Sequence, residues 1–473
     1  MKNEIITIKF QISLIWISIL AVGGFSPVRS FSGNTPGNPK SASTQINEIV
    51  QNISEKKLEE HLTRLVSFET RHSLSDTVSS TRGIGAARRW IYEQFQNFSQ
   101  ASGGRLKVAY QTFEVDRKNF RRYEHFKVQM KNVLAILPGS MPAAAKRMFV
   151  VGGHYDTVAF NRESYSGKGP SNGANDDGSG TAVVIELARV LSQYEFDATL
   201  VFVAYAGEEQ GLFGSTYHAQ EARKQNLQID GMITNDIVGN ILGGDGSINN
   251  TELRCFSEEP WDSPSRQMAR HLKRVAEPYV NNLSINLIFR RDRYGRGGDH
   301  IPFNQEGYAA IRLSEPNENY DRQHSLEDKI EFVSFPYLTK VARLNAAALA
   351  SLALAPAAPE NVKLSRTRRP PTAERPFRQG YEVKFTWEHK MAEPDLQGFK
   401  IAIRKTTDAT YQKYIPTGKV KEFTLTGYSI DNYAFGVIAY DKDGNESLIA
   451  APAPRPSRRK TRFTDEPSSE NLN

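Results

Sequence analysis

The chain has 473 residues, which is more than one typical domain and predicts two folded units with additional terminal segments. Hydrophobic residues make up 39% of the composition and aromatic residues 10%, which is enough for a sizeable buried core. The formal net charge is +7, but the basic excess lies in two runs, SRTRRPPTAERPFR and RPSRRKTRF, without interleaved aromatic residues, so it indicates solvated charge and argues against nucleic-acid binding.

The N-terminal segment has the pattern of an export signal. Lys2 and Lys9 precede the apolar stretch IWISILAVGGF, which has the length of a signal-peptide core and is short for a membrane span. We therefore predict a signal peptide over residues 1–29 and a secreted or periplasmic protein. Residues 30–46 are rich in Gly, Pro, Ser and Asn and are predicted to be a disordered leader. Retention of the N-terminal segment as a membrane anchor is the alternative.

Amphipathic helical patterns alternate with apolar strand-like runs over residues 47–354. In chain order they are the helical LEEHLTRLVSF and ARRWIYEQFQNF, the strands NVLAILPG and RMFVVGGHYDT, the helical TAVVIELARVLSQY, and the strands TLVFVAYAGEE, GMITNDIVG and YAAIRLSE. This alternation predicts an α/β sheet that is covered by helices on both faces. Because such sheets bind ligands beyond the carboxyl ends of their strands, the polar residues that follow these runs are candidate site residues.

The last part of the chain has an all-β pattern over residues 357–452, after the linker APAAPE. Its segments alternate apolar and polar residues: NVKLS, YEVKFTWEH, FKIAIRK, KEFTLTG and YAFGVIAYDKDGN. The pattern predicts a β-sandwich domain, and residues 453–473 are predicted to be a disordered tail. The unit resembles a fibronectin type III module, with Trp387 as its core tryptophan and Tyr433 as the tyrosine of a later strand. We expect a spacer or stabilising role, and contact with a cell-surface polymer is the alternative.

Acidic residues and histidines follow successive apolar runs. They are His154 and Asp156 in VVGGHYDT, Asp176 and Asp177 in GANDDGSG, Glu208 and Glu209 in VAYAGEEQG, Asp236 in ITNDIVG, Asp299 and His300 in GGDHIPF, and His324 in RQHSLEDK. Taken singly, each fits a core histidine, a turn or a solvated strand end. Since Cys255 is the single cysteine, a metal site must be built from His, Asp and Glu. Their recurrence at strand ends predicts such a site.

The residue types suit a pair of zinc ions. Two adjacent ions need one bridging carboxylate and, for each ion, a further carboxylate and an imidazole. The sequence offers this set: Asp176 as the bridge, Glu209 and His324 on one side, and His154 and Asp236 on the other. Glu208 is left free as a base if it and Glu209 lie in an extended segment, where neighbouring side chains point to opposite faces. Asp156 is placed to orient the imidazole of His154.

Six motifs in this order closely resemble the co-catalytic zinc peptidases of clan MH, which include leucyl-type aminopeptidases and glutamate carboxypeptidases: G-H-Y-D-T, G-A-N-D-D-G-S-G, A-G-E-E-Q-G-L-F-G-S, N-D-I-V-G, G-D-H-I-P-F and H-S-L-E-D. The resemblance spans roughly residues 50–352. It implies a mixed, mostly parallel sheet sandwiched by helices, as in zinc exopeptidases, and two Zn²⁺ per chain. It implies these roles: His154 and Asp236 bind one zinc ion, Glu209 and His324 bind the other, Asp176 bridges them, Glu208 is the general base, Asp156 orients His154, Tyr294 stabilises the oxyanion, and Asp299 and His300 give structural support.

The resemblance implies a secreted exopeptidase, with an aminopeptidase acting on peptide or protein N-termini as the first expectation. Three alternatives stay open: a glutamate carboxypeptidase, a glutaminyl-peptide cyclotransferase with one zinc ion, and a non-catalytic binding protein. A glutamate carboxypeptidase adds arginines that bind an acidic side chain. The arginines near the relevant motifs are Arg290, Arg291, Arg293, Arg296 and Arg312.

Overall fold

A computed structural model describes residues 42–121, 123–259, 262–366 and 381–453. The predicted signal peptide, most of the predicted leader, the basic run that follows Arg366 and nearly all of the predicted tail lie outside these ranges. Within them, every helix is too short or too polar to span a lipid bilayer.

The larger part of the structure, up to Leu354, contains helices and a single large sheet. Its helices are α1 (Ala42–Gln51), α2 (Glu55–Val66), α3 (Gly83–Ala101), α4 (Arg162–Tyr165), α5 (Gly180–Leu191), α6 (Glu208–Gly211), α7 (Phe213–Lys224), α8 (Pro264–His271), α9 (His300–Gln305) and α10 (Phe335–Leu354). Its strands are β1 (Lys107–Phe120), β2 (Tyr123–Leu137), β3 (Arg147–His154), β4 (Thr199–Tyr205), β5 (Gln228–Asn235), β6 (Glu252–Ser257), β7 (Ser284–Ile288) and β8 (Ala310–Ser314). A turn at Ala174–Ser179, in which Asp176 and Asp177 have non-helical backbone angles, leads into α5.

The eight strands form one mixed sheet in the order β1-β2-β4-β3-β5-β8-β6-β7. The central strands β4, β3, β5 and β8 run parallel, β1 and β2 form an antiparallel hairpin at one edge, and β6 runs antiparallel to β8. Alternate residues face opposite layers, because side chains alternate along a strand. Val151 of β3 packs in the core with α5 and α10, whereas its neighbour Val150 packs with α7 and α9. This confirms the predicted mixed sheet between layers of helices.

The first half of helix α1 lies in the segment that the sequence predicts to be disordered. The helix begins at Ala42, so the end of the predicted leader is helical. Ile46 and Ile49 are buried in the main core, and their burial explains why this polar-looking segment is ordered.

Strand β1 and the first half of β2 are absent from the sequence prediction, which placed a strand only at NVLAILPG. The hairpin strands are 14 and 15 residues long, and most side chains of β1 are exposed or half-buried. An edge hairpin of this kind needs no continuous apolar run, so it lacks the signal that identified the buried strands.

The C-terminal part is a β-sandwich. Its strands are β9 (Glu360–Arg366), β10 (Glu382–Glu388), β11 (Leu396–Lys405), β12 (Lys413–Gly418), β13 (Glu422–Thr426) and β14 (Tyr433–Asp441), in two sheets of order β13-β10-β9 and β12-β11-β14. The two sheets share one core, in which Trp387 of β10 lies edge-on to Phe399 of β11 at 5.4 Å between ring centroids. The predicted sandwich is therefore confirmed, while its fibronectin type III character stays a prediction.

The sandwich contacts the larger part through ion pairs that include one buried pair and one partly buried pair. Both carboxylate oxygens of Asp262 lie 3.0 Å from the Arg404 guanidinium. Arg147, at the start of β3, pairs with Glu393 at 3.2 Å. These contacts lie at the amino ends of the central strands, at the opposite edge of the sheet from the candidate site residues.

Candidate metal centre

The candidate site lies at the carboxyl ends of three adjacent parallel strands. β3 ends at His154, β4 is followed by the turn that carries Glu208, and β5 is followed by Asp236. β3 pairs in parallel with both β4 and β5, so the residues after these strands meet at one edge of the sheet. The strand order thus explains why residues far apart in sequence converge.

Asp176 lies between two imidazoles. Its Oδ1 is 3.3 Å from Nε2 of His154, and its Oδ2 is 3.1 Å from Nε2 of His324. Nε2 of His154 is also 3.8 Å from Oδ1 of Asp236, and Nε2 of His324 is 3.2 Å from Oε2 of Glu209. The structure therefore brings together all five residues predicted to bind zinc, with Asp176 in the central position.

Glu208 lies next to this set, with Oε2 3.9 Å from Nε2 of His154. The six residues form two groups of three, each with ligand atoms within 4.8 Å of one another: His154, Glu208 and Asp236 in the first, and Asp176, Glu209 and His324 in the second. The structure thus places Glu208 on the side of His154 and Glu209 on the side of His324.

This arrangement fits divalent cations. Four carboxylates and two imidazoles converge without a sulfur ligand, which is a donor set that zinc accepts. The side chains of Glu208 and Glu209 are only 13% and 5% exposed, and Oε1 of Glu209 has no hydrogen-bond partner in the described part of the chain. Buried carboxylates are stable only when a positive charge or hydrogen bonds compensate them. The cluster is therefore suited to bind cations.

The pKa shifts of the cluster show the same excess of negative charge. Burial, together with the nearby carboxylates of Asp236 and Glu209, raises the pKa of Glu208 well above its ordinary value. Burial would lower the pKa of His324, but the carboxylates of Glu209 and Asp176 outweigh it and raise that pKa to about 11. The carboxylates of Glu209 and Asp176 therefore favour the protonated form of the His324 imidazole when no metal cation is bound.

Asp156 contacts the His154 ring mainly through its backbone carbonyl, and not through the carboxylate that was predicted to orient the imidazole. The ring of His154 donates from Nδ1 to the backbone carbonyl of Asp156 at 3.1 Å, whereas the carboxylate Oδ1 lies 3.8 Å away. This bond leaves Nε2 of His154 as the free nitrogen that faces the cluster. The carboxylate of Asp156 instead accepts the backbone N–H groups of Glu208 at 3.1 Å and Glu209 at 3.2 Å.

The expectation of an extended segment at Glu208 and Glu209 is wrong. The two residues begin the short helix α6, which follows Gly207 in the left-handed region at φ 75°. The acceptor for the first N–H groups of this helix is the carboxylate of Asp156, which occupies a favourable position for a negative charge. Successive side chains of a helix also point in different directions. Glu208 and Glu209 therefore still face different sides of the cluster, because of helical geometry and not because of an extended segment.

Two further aspartates hold the backbone of the centre. Asp177 accepts the N–H of His154 at 3.0 Å and that of Gly180 at 2.8 Å. Asp328 accepts the N–H of Asp176 at 2.9 Å. Asp328 is the last residue of the motif H-S-L-E-D, and its role was not predicted from the sequence.

Arg312 was considered as a substrate-binding arginine, but the structure places it beneath the centre. It is fully buried, its Nη2 lies 3.2 Å from Oδ1 of Asp236, and its Nη1 lies 3.4 Å from Asp292 and donates to the carbonyl of Gly297 at 2.8 Å. Arg293 is likewise buried and pairs with Asp292 at 3.0 Å. Both guanidinium groups are thus occupied by the protein's own carboxylates.

Three other predicted residues stand apart from the six-residue cluster. The side chain of Tyr294 is 94% exposed on its loop, and the structure does not bring it into the cluster, so its oxyanion role stays a prediction. His300 is buried and donates from Nε2 to the carbonyl of Arg291 at 2.7 Å. Asp299 is buried, and burial raises its pKa to about 7. These positions of Asp299 and His300 fit a supporting role.

Comparison with known proteins relates this site to an established group. A model of peptidase family M28 matches residues 132–349. A probable zinc metalloprotease of Leptosphaeria maculans is 36% identical over 437 residues, which cover 87% of this chain and 97% of that protein. The LapA aminopeptidase of Legionella pneumophila has a TM-score of 0.52 at 21% identity, over 70% of this chain and 80% of that chain. BSAP, a zinc aminopeptidase from Bacillus subtilis, has a TM-score of 0.50 at 17% identity, over 63% of this chain and 94% of that chain. At these identities the structural likeness concerns the fold.

Proposed function

The chain belongs to peptidase family M28, and on that premise we propose that it is a secreted di-zinc exopeptidase that removes residues from peptide N-termini. The observation that carries the proposal is the position of Asp176, whose two carboxylate oxygens face the imidazoles of His154 and His324. A carboxylate in that position suits the bridge between two ions. Asp236 would complete one ligand set and Glu209 the other.

Glu208 has the position of a general base. Bound zinc ions would acidify a water molecule and polarise the scissile carbonyl. Glu208 lies at the edge of the cluster, has no described ion pair with Lys or Arg, and sits where burial favours its protonated form. It would accept a proton from the attacking water and return it to the leaving amine. The carboxylate of Asp156 accepts the backbone N–H of Glu208 and so supports the main chain from which this base projects.

Two of the five candidate arginines are buried and already paired, which favours an aminopeptidase over a glutamate carboxypeptidase. Arg312 and Arg293 are buried and paired with Asp236, Asp292 and Glu318. A negatively charged substrate side chain would have to compete with these carboxylates for them. A cluster rich in carboxylates suits the positively charged N-terminus of a peptide instead.

Phe160 supports an apolar substrate residue beside the centre. Its backbone N–H donates to the carbonyl of His324 at 2.8 Å, and its ring lies edge-on to the His324 ring with 4.7 Å between centroids. Its ring also stacks on Tyr165, yet Phe160 remains 59% exposed. An exposed ring that is already fixed in place can bury an apolar side chain with little loss of conformational freedom.

A single set of assays tests the proposal. The purified chain is offered aminoacyl-p-nitroanilides and the same compounds with a blocked amine, before and after treatment with a chelator, and its metal content is measured. We expect hydrolysis of the free-amine substrates alone, loss of activity on chelation, recovery with Zn²⁺, and two zinc ions per chain. Hydrolysis that ignores the free amine would overturn the aminopeptidase assignment, and one zinc ion per chain with cyclisation of N-terminal glutamine would favour the cyclotransferase.

A further inference from the structure

We propose that Asn132 is a positioning residue that clamps the turn carrying Glu208 and Glu209, so that catalysis depends on a side chain outside the metal centre. The inference rests on the proposed function, because it takes Glu208 and Glu209 as the working carboxylates. Asn132 lies in β2, in the antiparallel edge hairpin, and is fully buried.

The side-chain amide of Asn132 bonds to both ends of the turn, at Ala206 and Gly214. Its Oδ1 accepts the N–H of Ala206 at 3.0 Å, and its Nδ2 donates to the carbonyl of Gly214 at 2.9 Å. These two residues bracket the turn, and they also bond to each other through the N–H of Gly214 and the carbonyl of Ala206 at 2.9 Å. The second Nδ2 proton goes to Oε1 of Gln111 on β1 at 2.9 Å. Every polar atom of the amide is used, so its orientation is fixed.

The hairpin also packs along the turn itself. A Cβ atom at Gly207 would lie 2.5 Å from Sδ of Met130, so β2 lies directly against the residue that precedes Glu208. Arg121, at the hairpin tip, donates from Nη1 to the carbonyl of Glu209 at 2.7 Å. The rings of Phe126 and Phe213 are stacked at 5.9 Å. The turn is therefore held by the hairpin on one side and by Asp156 on the other.

Loss of these bonds between Asn132 and the ends of the turn would affect two carboxylates with different proposed roles. Glu208 faces the side of His154 and Glu209 faces the side of His324, so a shift of the turn moves the base and a ligand together. A displacement of about 1 Å in a reacting group can lower the rate about 100-fold. We therefore expect kcat of the Asn132→Ala enzyme to fall about 10- to 100-fold when Zn²⁺ is saturating, with a smaller change in KM.

The experiment compares Asn132→Ala and the nearly isosteric Asn132→Asp with a matched control, Asn304→Ala. Asn304 is also a buried asparagine, and its Nδ2 donates to Oγ of Ser265 at 3.0 Å and to the carbonyls of Tyr308 and Ala310 at 3.2 Å, none of which belongs to the turn. The measurements are kcat and KM with excess Zn²⁺, the thermal midpoint, zinc affinity by chelator competition, and amide hydrogen exchange read by mass spectrometry.

We expect both Asn132 variants to lower kcat and to speed amide exchange selectively over residues 206–214. The control should lower the thermal midpoint while kcat and exchange in that segment stay as in the wild type. The inference is overturned if exchange over 206–214 is unchanged, or if it rises no more than in the rest of the chain. A wild-type protein without peptidase activity would refute the proposed function, while exchange and zinc affinity would still decide whether Asn132 clamps the turn.

Discussion

Arg312→Met should lower both the zinc affinity and the thermal stability of the protein, because the guanidinium of Arg312 contacts the predicted zinc ligand Asp236. The guanidinium lies 3.2 Å from Oδ1 of Asp236 and also donates to the backbone carbonyl of Asp236 at 3.3 Å. The guanidinium of Arg312 therefore binds both the side chain and the main chain of Asp236. Methionine fills a similar volume but can neither pair with the carboxylate nor donate to the carbonyl.

The magnitude follows from burial. Arg312 is fully buried, and the side chains of its partners Asp236 and Asp292 are only 4% and 2% exposed. Removing one partner of a buried ion pair typically costs about 3–5 kcal/mol, since the remaining charge is left uncompensated. For a unit of this size, that corresponds to a fall of about 5–8 °C in the thermal midpoint. Loss of a group that orients a ligand typically lowers metal affinity about 10- to 100-fold.

Two effects on zinc compete in this variant, and a second substitution separates them. Removing the positive charge of Arg312 should strengthen Zn²⁺ binding electrostatically. Releasing the side chain of Asp236 should weaken Zn²⁺ binding, because the ligand is no longer held in position. Arg312→Lys keeps the charge but loses the planar two-point grip, so we expect it to bind zinc more weakly as well. Chelator competition and calorimetry measure both quantities. Arg147→Met is the control, because Arg147 is also buried and pairs with Glu393 at the amino end of β3, so this variant should lower the thermal midpoint and leave zinc binding unchanged. Zinc binding in Arg312→Met as tight as in the wild type would refute the reasoning.

Three further predictions concern the base, the substrate and the pH dependence of stability. Glu208→Gln should lower kcat about 10²- to 10⁴-fold while the metal content stays at the wild-type value, and a variant at wild-type rate would remove Glu208 as the base. Phe160→Ala should lower kcat/KM for substrates with bulky apolar N-terminal residues about tenfold or more, with alanyl substrates much less affected, whereas Tyr381→Ala, an equally exposed aromatic on the sandwich, should change neither. Burial and the carboxylate of Asp395 raise the pKa of Asp197 to about 7, so the folded state favours the protonated form. This contribution to stability is complete below about pH 4 and is lost as the pH rises towards 7, so Asp197→Asn should raise the thermal midpoint at pH 8 but not at pH 4, and equal midpoints at pH 8 would contradict it.

The sheet and the six-residue cluster could be predicted because buried strands carry continuous apolar runs. RMFVVGGH and TLVFVAY became β3 and β4, and their parallel pairing brings the residues that follow them to one edge. Metal chemistry then restricts the ligands to a few residue types, so a short set of His, Asp and Glu at strand ends was sufficient. The hairpin of β1 and β2 escaped prediction because an exposed edge strand needs no such run.

The residues that orient the cluster could not be predicted, because many side chains can donate or accept a hydrogen bond. Asn132 lies at the start of an apolar strand segment and reads from sequence as an ordinary strand residue. Arg312, within the apolar segment AIRLS, carried a usable signal, since an arginine in a fully buried strand requires an acidic partner. The helical turn at Glu208 depends on the positive φ of Gly207, which the glycine permits but does not specify.

The main-chain supports of the cluster also make it more dependent on cations. The N–H of His154 is bound by Asp177, that of Asp176 by Asp328, and those of Glu208 and Glu209 by Asp156. Each of these supports is itself a buried carboxylate, so fixing the backbone adds negative charge around a centre that already contains four carboxylates. Burial raises the pKa of Asp156 and also that of Asp328, which reaches about 7, so these groups are fully ionised at neutral pH only when a cation binds nearby. A neutral scaffold of asparagines would fix the same N–H groups without this charge, and the use of aspartates instead increases the attraction of the whole centre for divalent cations.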